Sequence, residues 1–135
     1  MVSMDAYSAG FSILIVDDER FVREVLVRAL EREGHNCETA SNAAEARERL
    51  TETEFDLIVC DVDMPGESGL ELVGSMLAQR PFLAAVMMSG IDDARIAADS
   101  LELGVQGYLV KPFAIDEARA CIGDALARRR PRPAP

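Results

Sequence analysis

Four apolar runs in this chain are closely followed by polar groups that could do chemistry. Asp17, Asp18 and Glu19 follow Phe11–Val16, Asp61 and Asp63 follow Phe55–Cys60, Ser89 follows Phe82–Met88, and Lys111 follows Val105–Val110. If the runs are strands of one parallel sheet, these groups converge at one edge, and carboxylates a few ångströms apart repel unless a cation screens them. A divalent metal is implied. His35 is the single histidine, so the donors are all oxygen; a few carboxylates suit Mg²⁺ with several retained waters, or Mn²⁺, better than a closed Zn²⁺ or Ca²⁺ cage. Taken singly, each residue has a plainer reading: an Asp after a strand caps the next helix, Ser89 is a turn residue and Lys111 a solvated loop charge. The chemistry rests on their co-occurrence. Lys111 is also the only lysine, beside thirteen arginines, and a compact ammonium fits a tight pocket facing one phosphoryl oxygen where a planar guanidinium would not.

The elements that must position these groups are legible as an alternation. Apolar runs rich in branched residues alternate five times with segments of helical period. Strands are expected at Phe11–Val16, around His35–Ala40, and at Phe55–Cys60, Phe82–Met88 and Val105–Val110. Val22, Val25, Leu26, Ala29 and Leu30 form the stripe of the first helix, and Gly34 stops it. Asn42 with Glu45, and Ser68 with Glu71, read as capping boxes for helices to about Glu52 and about Arg80. Asp92 or Asp93 caps the fourth helix, Ile96, Leu101 and Leu103 form its apolar side and Gly104 ends it; Ile115, Ala118, Ile122 and Ala125 mark the fifth. Such a chain folds as an open, doubly wound α/β sheet, which binds ligands outside the C-terminal strand ends.

Composition bounds the rest. The 135 residues, 49% apolar and 28% charged, make one globular unit. Fourteen basic and twenty-four acidic residues give a net charge of −10, and Arg128, Arg129, Arg130 and Arg132 hold four of the positives, leaving 10 − 24 = −14 on residues 1–127. That body repels a phosphate backbone, which argues against direct nucleic-acid binding and for cations and basic protein partners. Cys37, Cys60 and Cys121 are odd in number and sit among apolar residues, which fits a reduced, cytoplasmic compartment. The longest apolar run, Phe82–Met88, is far short of the ~18 residues that span a bilayer, so no membrane role is expected.

Val16-Asp-Asp-Glu19, Cys60-Asp-Val-Asp-Met-Pro-Gly66, Met88-Ser-Gly90 and Gly107-Tyr-Leu-Val-Lys-Pro-Phe113 together resemble the receiver domain of two-component response regulators, chemotaxis-regulator-like, over about residues 11–127. The resemblance implies a flavodoxin-like (βα)5 sheet in strand order 2-1-3-4-5, with residues 1–10 as an N-terminal extension and 128–135 as an Arg/Pro-rich tail or linker start. It implies that Asp61 accepts a phosphoryl group from a histidine kinase or phosphotransfer protein. Asp18, Asp61 and the backbone carbonyl of Asp63 would hold Mg²⁺, with Asp17 acting through water. Ser89 and Lys111 would bind the phosphoryl group, Gly90 would leave room for it, and Tyr108 would change rotamer to switch a surface of helix 4, strand 5 and helix 5. That surface would meet a downstream protein or output domain, or drive homodimerisation on phosphorylation. Asp63 and Ile91 would tune hydrolysis of the phosphoryl group, slowly here because Ile91 is apolar. The Lys111–Pro112 peptide resembles the family's cis bond.

Two rivals are set beside this reading. A haloacid-dehalogenase-like aspartyl phosphatase also uses a D-x-D nucleophile, but there it follows the first strand. An interaction module that no longer accepts phosphate would show a damaged acidic cluster, whereas Asp17, Asp18, Asp61, Ser89 and Lys111 are all present. A regulator with only self-directed phosphorylation and dephosphorylation chemistry is therefore expected, rather than a turnover enzyme, either as a single-domain regulator acting through protein contacts or, the reading preferred, as the receiver of a longer chain.

Overall fold

The computed structural model describes residues 10–90 and 94–133. Strands and helices alternate through β1 (Ser12–Val16), α1 (Arg20–Glu31), β2 (Asn36–Ala40), α2 (Ala43–Glu52), β3 (Leu57–Asp61), α3 (Gly69–Gln79), β4 (Ala84–Ser89), α4 (Ala94–Glu102), β5 (Gly107–Val110) and α5 (Ile115–Arg128). The strands form one sheet in the order β2-β1-β3-β4-β5, every pair parallel. This is the flavodoxin-like order expected above. The sheet is covered on both faces, so its central strands are apolar throughout rather than alternating with polar residues.

The period of two along each strand divides the core. Ile13, Ile15, Leu57, Val59, Val86 and Met88 face Leu26 and Leu30 of α1 and Ala118 and Ile122 of α5. Leu14, Val16, Ile58, Cys60, Ala85 and Met87 face the layer built from α2 and α3, joined by Ile96 and Leu103 around α4.

The helix starts are chemical. Asn42 accepts the Glu45 N–H at 2.8 Å and Ser68 the Glu71 N–H at 3.2 Å. The first box does not close on itself, because the Glu45 carboxylate returns to Ser41, at 3.2 Å from its N–H, instead of to Asn42. A second correction concerns α4, where Leu101 is 67% exposed. The inward stripe runs Ile96, Ser100, Leu103: Ser100 is fully buried and satisfies its hydroxyl one turn back, on the Ile96 carbonyl at 2.8 Å. Asp92 and Asp93, expected to cap α4, lie outside the described residues.

Below the sheet, Arg129 lies 4.7 Å over the Phe11 ring, and Arg132 donates to the Phe55 carbonyl at 3.1 Å and pairs with Glu54 at 2.8 Å. Cys37, Cys60 and Cys121 are free. No described helix is long and apolar enough to cross a membrane.

Candidate functional site

The β1–β2 ladder extends one residue past β1, the Asp17 N–H donating to the Ala40 carbonyl at 3.1 Å. The chain then turns sharply, with Asp17 Oδ1 accepting the Glu19 N–H at 2.8 Å and Arg23 donating to the Asp17 carbonyl at 2.7 Å. Asp17 is wholly buried, whereas Asp18 and Glu19 are exposed. Asp61 is the last residue of β3 and 3% exposed. The next residue stays in the ladder, Val62 N–H to Met88 carbonyl at 2.7 Å, and the Asp63 N–H turns back to Asp61 Oδ1 at 3.2 Å. Lys111 is pinned by its own N–H on the Ser89 carbonyl at 2.7 Å and followed by a cis peptide to Pro112. Its ammonium lies 2.6 Å from Asp17 Oδ2, 3.2 Å from Asp61 Oδ2 and 3.5 Å from Glu19 Oε1.

Two buried carboxylates thus share one ammonium. Burial, then the negative charge of Asp17, push the Asp61 carboxyl up to about 6 against the opposing pull of Lys111 and the Asp63 N–H. Burial alone would lower the Lys111 ammonium, but hydrogen bonding and attraction from Asp17, and then Asp61, outweigh it and the net shift is upward. The donor set fits a hard divalent cation: Asp17, Asp18 and Glu19 each offer a carboxylate oxygen, all within 4.8 Å of one another, beside an Asp61 carboxylate that repels its neighbour until it is neutralised.

The expected site residues fall into groups. Asp17, Asp61 and Lys111 are in direct contact, and Asp18 joins Asp17 together with Glu19. Asp63 reaches Asp61 through its backbone and is itself exposed. Ser89 is fully buried at the end of β4. Gly90 is exposed, and a Cβ there would meet no atom of the described residues within 4 Å. Tyr108 is half-buried in β5, opposite Met87 and packed on the α2–α3 side of the core. Ile91 lies outside the described residues.

Sequence reasoning missed Gly69. A Cβ there would stand 2.0 Å from the Asp61 carbonyl oxygen, so only glycine lets the first turn of α3 approach the backbone of that aspartate. The available signal was a glycine directly after the Ser68 cap, where a helix start has no conformational need of one.

An acidic pocket with one ammonium, at the C-terminal edge of a 2-1-3-4-5 sheet, makes this an α/β module that can hold a cation and an anion side by side. Residues 13–122 match the model of the response regulator receiver domain, and the chain belongs to that family. It is 37% identical over 124 residues to the DNA-binding transcriptional regulator NtrC of Rhizobium meliloti, covering 92% of this chain and 26% of that protein. The chain therefore spans about a quarter of the length of that relative. Among solved structures it superposes with TM-score 0.82 on the CheY-like receiver domain protein of Methanospirillum hungatei, at 28% identity over 87% of this chain and 94% of that one. It also superposes with TM-score 0.75 on TrrA of Thermotoga maritima, solved in complex with Mg²⁺–BeF, at 32% identity over 84% and 96%. As a receiver domain of a two-component system, it is a regulatory module and not a classical enzyme. The phosphatase alternative fails on topology as well, since Asp61 ends the third strand.

Proposed function

We propose that Asp61 is the phosphoacceptor of this receiver, taking its phosphoryl group from a phosphohistidine on a histidine kinase or phosphotransfer protein. The observation that carries this reading is the buried Asp61 carboxylate between Asp17 and the Lys111 ammonium. One Asp61 oxygen attacks phosphorus, the P–N bond breaks with its electron pair returning to the histidine, and an acyl phosphate forms. No separate base is needed, because the carboxyl is ionised above about pH 6.

Lys111 supplies positive charge to a phosphoryl oxygen, and its donor reach to both aspartates keeps it at the point of attack. Asp18, Asp61 and the Asp63 carbonyl would hold Mg²⁺, with Asp17 acting through water; Mn²⁺ fits the same donors. When bound, the ion neutralises charge on the phosphoryl oxygens. Ser89 donates to the phosphoryl group and Gly90 leaves space for it, supported by the absence of any described atom within 4 Å of a Cβ built on Gly90. Tyr108 repacks in response, shifting the α4–β5–α5 surface between two pre-existing arrangements. That surface meets a downstream protein or output domain, or a second phosphorylated copy.

In this reading the receiver proper spans 11–127 and works in the cytoplasm, its body too acidic to bind nucleic acid directly. Asp63 and Ile91 tune dephosphorylation, and the apolar Ile91 cannot orient a water, so the acyl phosphate is long-lived. An Ile91→Glu variant should lose its label faster; equal decay would remove Ile91 from the mechanism. The reading as a whole is tested by excess acetyl phosphate with Mg²⁺. Labelling that stops near one phosphoryl group per chain and is released by hydroxylamine supports it, whereas continuing turnover or no label opposes it.

A further inference from the structure

Outside the acidic pocket, one ion pair joins two elements that flank it. Arg47 on α2 donates from Nε to Glu67 Oε1 at 2.9 Å and from Nη2 to Oε2 at 2.5 Å, a fork-to-fork pair with the loop between β3 and α3. Hydrogen bonding to Arg47 holds the Glu67 carboxyl below its usual range, and the same bond raises the Arg47 guanidinium. The side chains are 38% and 29% exposed, and a pair so placed contributes little to stability. Its geometry carries more information than its energy, because a bidentate pair fixes the position and plane of both groups.

The loop it holds is the one that leaves Asp61. At the near end the Asp63 N–H bonds Asp61 Oδ1 at 3.2 Å, and at the far end Ser68 caps α3 and Gly69 packs on the Asp61 carbonyl. Between them Pro65 and Gly66 are exposed, Gly66 in the left-handed region at φ 83°. Glu67 is the side chain of this stretch whose carboxylate grips another element. Arg47, Pro65 and Glu67 also line, with Asp18 and Asn42, a cavity of about 550 Å³ beside the carboxylates. The loop is closed at its base by the Gly69 N–H on the Val62 carbonyl at 3.0 Å, so the pair is what ties its middle to α2, next to the bond that orients Asp61.

We propose that Arg47 and Glu67 are positioning residues for phosphoryl acceptance: their ion pair latches the β3–α3 loop to α2 and so keeps the Asp61 carboxylate and the Asp63 backbone aligned with Asp17 and Lys111. This rests on Asp61 being the phosphoacceptor. A latch makes loss of either partner harmful. If Arg47 were instead a further cation for the phosphoryl group, restrained by Glu67, then removing Glu67 would speed the reaction.

The test compares Arg47→Ala, Glu67→Ala, Arg47→Lys and the exchanged pair Arg47→Glu with Glu67→Arg in the full chain. It measures the limiting rate of acetyl phosphate labelling with Mg²⁺, and amide hydrogen exchange in the metal-free protein. Each alanine variant is expected to lower the limiting rate about tenfold. Each should speed exchange across Asp63–Ser68 about threefold to fivefold, the range that losing a partly exposed ion pair allows, while leaving the strands unchanged. The exchanged pair recovers both to within about 1.5-fold of wild type, and Arg47→Lys recovers them only in part because an ammonium cannot make the fork. Unchanged loop exchange in the alanine variants, an exchanged pair no better than they are, or faster labelling in Glu67→Ala overturns the latch. If the wild type itself takes no label, the phosphoacceptor reading falls, and the latch is then decided by loop exchange, which needs no phosphoryl group.

Discussion

The same strands end in two opposite arrangements of charge. At the C-terminal edge Asp17 and Asp61 are buried around one ammonium, and Asp61 is pushed up to about 6 by burial and by its neighbour. At the N-terminal edge the carboxylates of Glu54 and Asp56 are both partnered, while Arg129 keeps Nε and Nη1 buried without a hydrogen bond. Asp56 accepts the Ser12 N–H at 2.8 Å, Arg132 meets Glu54 at 2.8 Å and Asp56 at 3.5 Å, and Arg129 stacks on Phe11 at 4.7 Å. There His35 Nδ1 accepts the Phe11 N–H at 3.1 Å, which requires that nitrogen to be unprotonated, and burial lowers the imidazole against the opposing charges of Glu33 and Asp56. One edge is arranged for stability, while the other keeps an uncompensated negative charge in a buried place. Such local cost is expected where a fold does chemistry.

The largest expected effect separates the edges by rate. Lys111→Ala should slow acetyl phosphate labelling about 10²-fold or more, because under the proposed mechanism it removes the charge that meets the phosphoryl group. Next in size, Asp56→Ala should cost ~1–3 kcal/mol in denaturant unfolding by leaving the Ser12 N–H unpaired, with the labelling rate unchanged. A matching loss of rate would mean that the two edges are coupled.

The third works through pH. Asp61 titrates near 6 in the folded metal-free protein against ~3.9 unfolded, so the native state binds the proton more tightly. The stability linked to that carboxyl is fully present below about pH 4 and is lost as pH rises through about 6. Asp61→Asn should therefore stabilise the metal-free protein by ~1–2 kcal/mol at about pH 7.5, a gain that fades on acidification and narrows when Mg²⁺ is added. A variant less stable than wild type at every pH would contradict the strained-edge description. The smallest effect is Arg129→Ala, about 0.5–1 kcal/mol from the lost ring contact, read by thermal melting with labelling unaffected.

The strand-end groups were legible because position after an apolar run decides where a residue lies in a parallel sheet, whatever its distant partners. Asp17, Asp61 and Lys111 meet for that reason, although 50 residues separate the last two. The inner stripe of α1 was legible too, as Leu26, Ala29 and Leu30 are buried. Hydropathy misassigned α4 because Ser100 satisfies its hydroxyl within the helix and takes the inward position that Leu101 was expected to share. Arg47–Glu67 and Arg132–Asp56 left no periodic signal: each joins residues on different elements, 20 and 76 apart, and depends on how those elements dock.

The most direct measurement treats the acetyl-phosphate-labelled protein with borohydride, which reduces an acyl phosphate to the alcohol, and reads the modified residue by peptide mass spectrometry. Homoserine at position 61, absent from unlabelled protein and from Asp61→Asn, is the result expected. Homoserine at Asp17, Asp18 or Asp63, or its absence from labelled protein, would contradict the assignment of the acceptor.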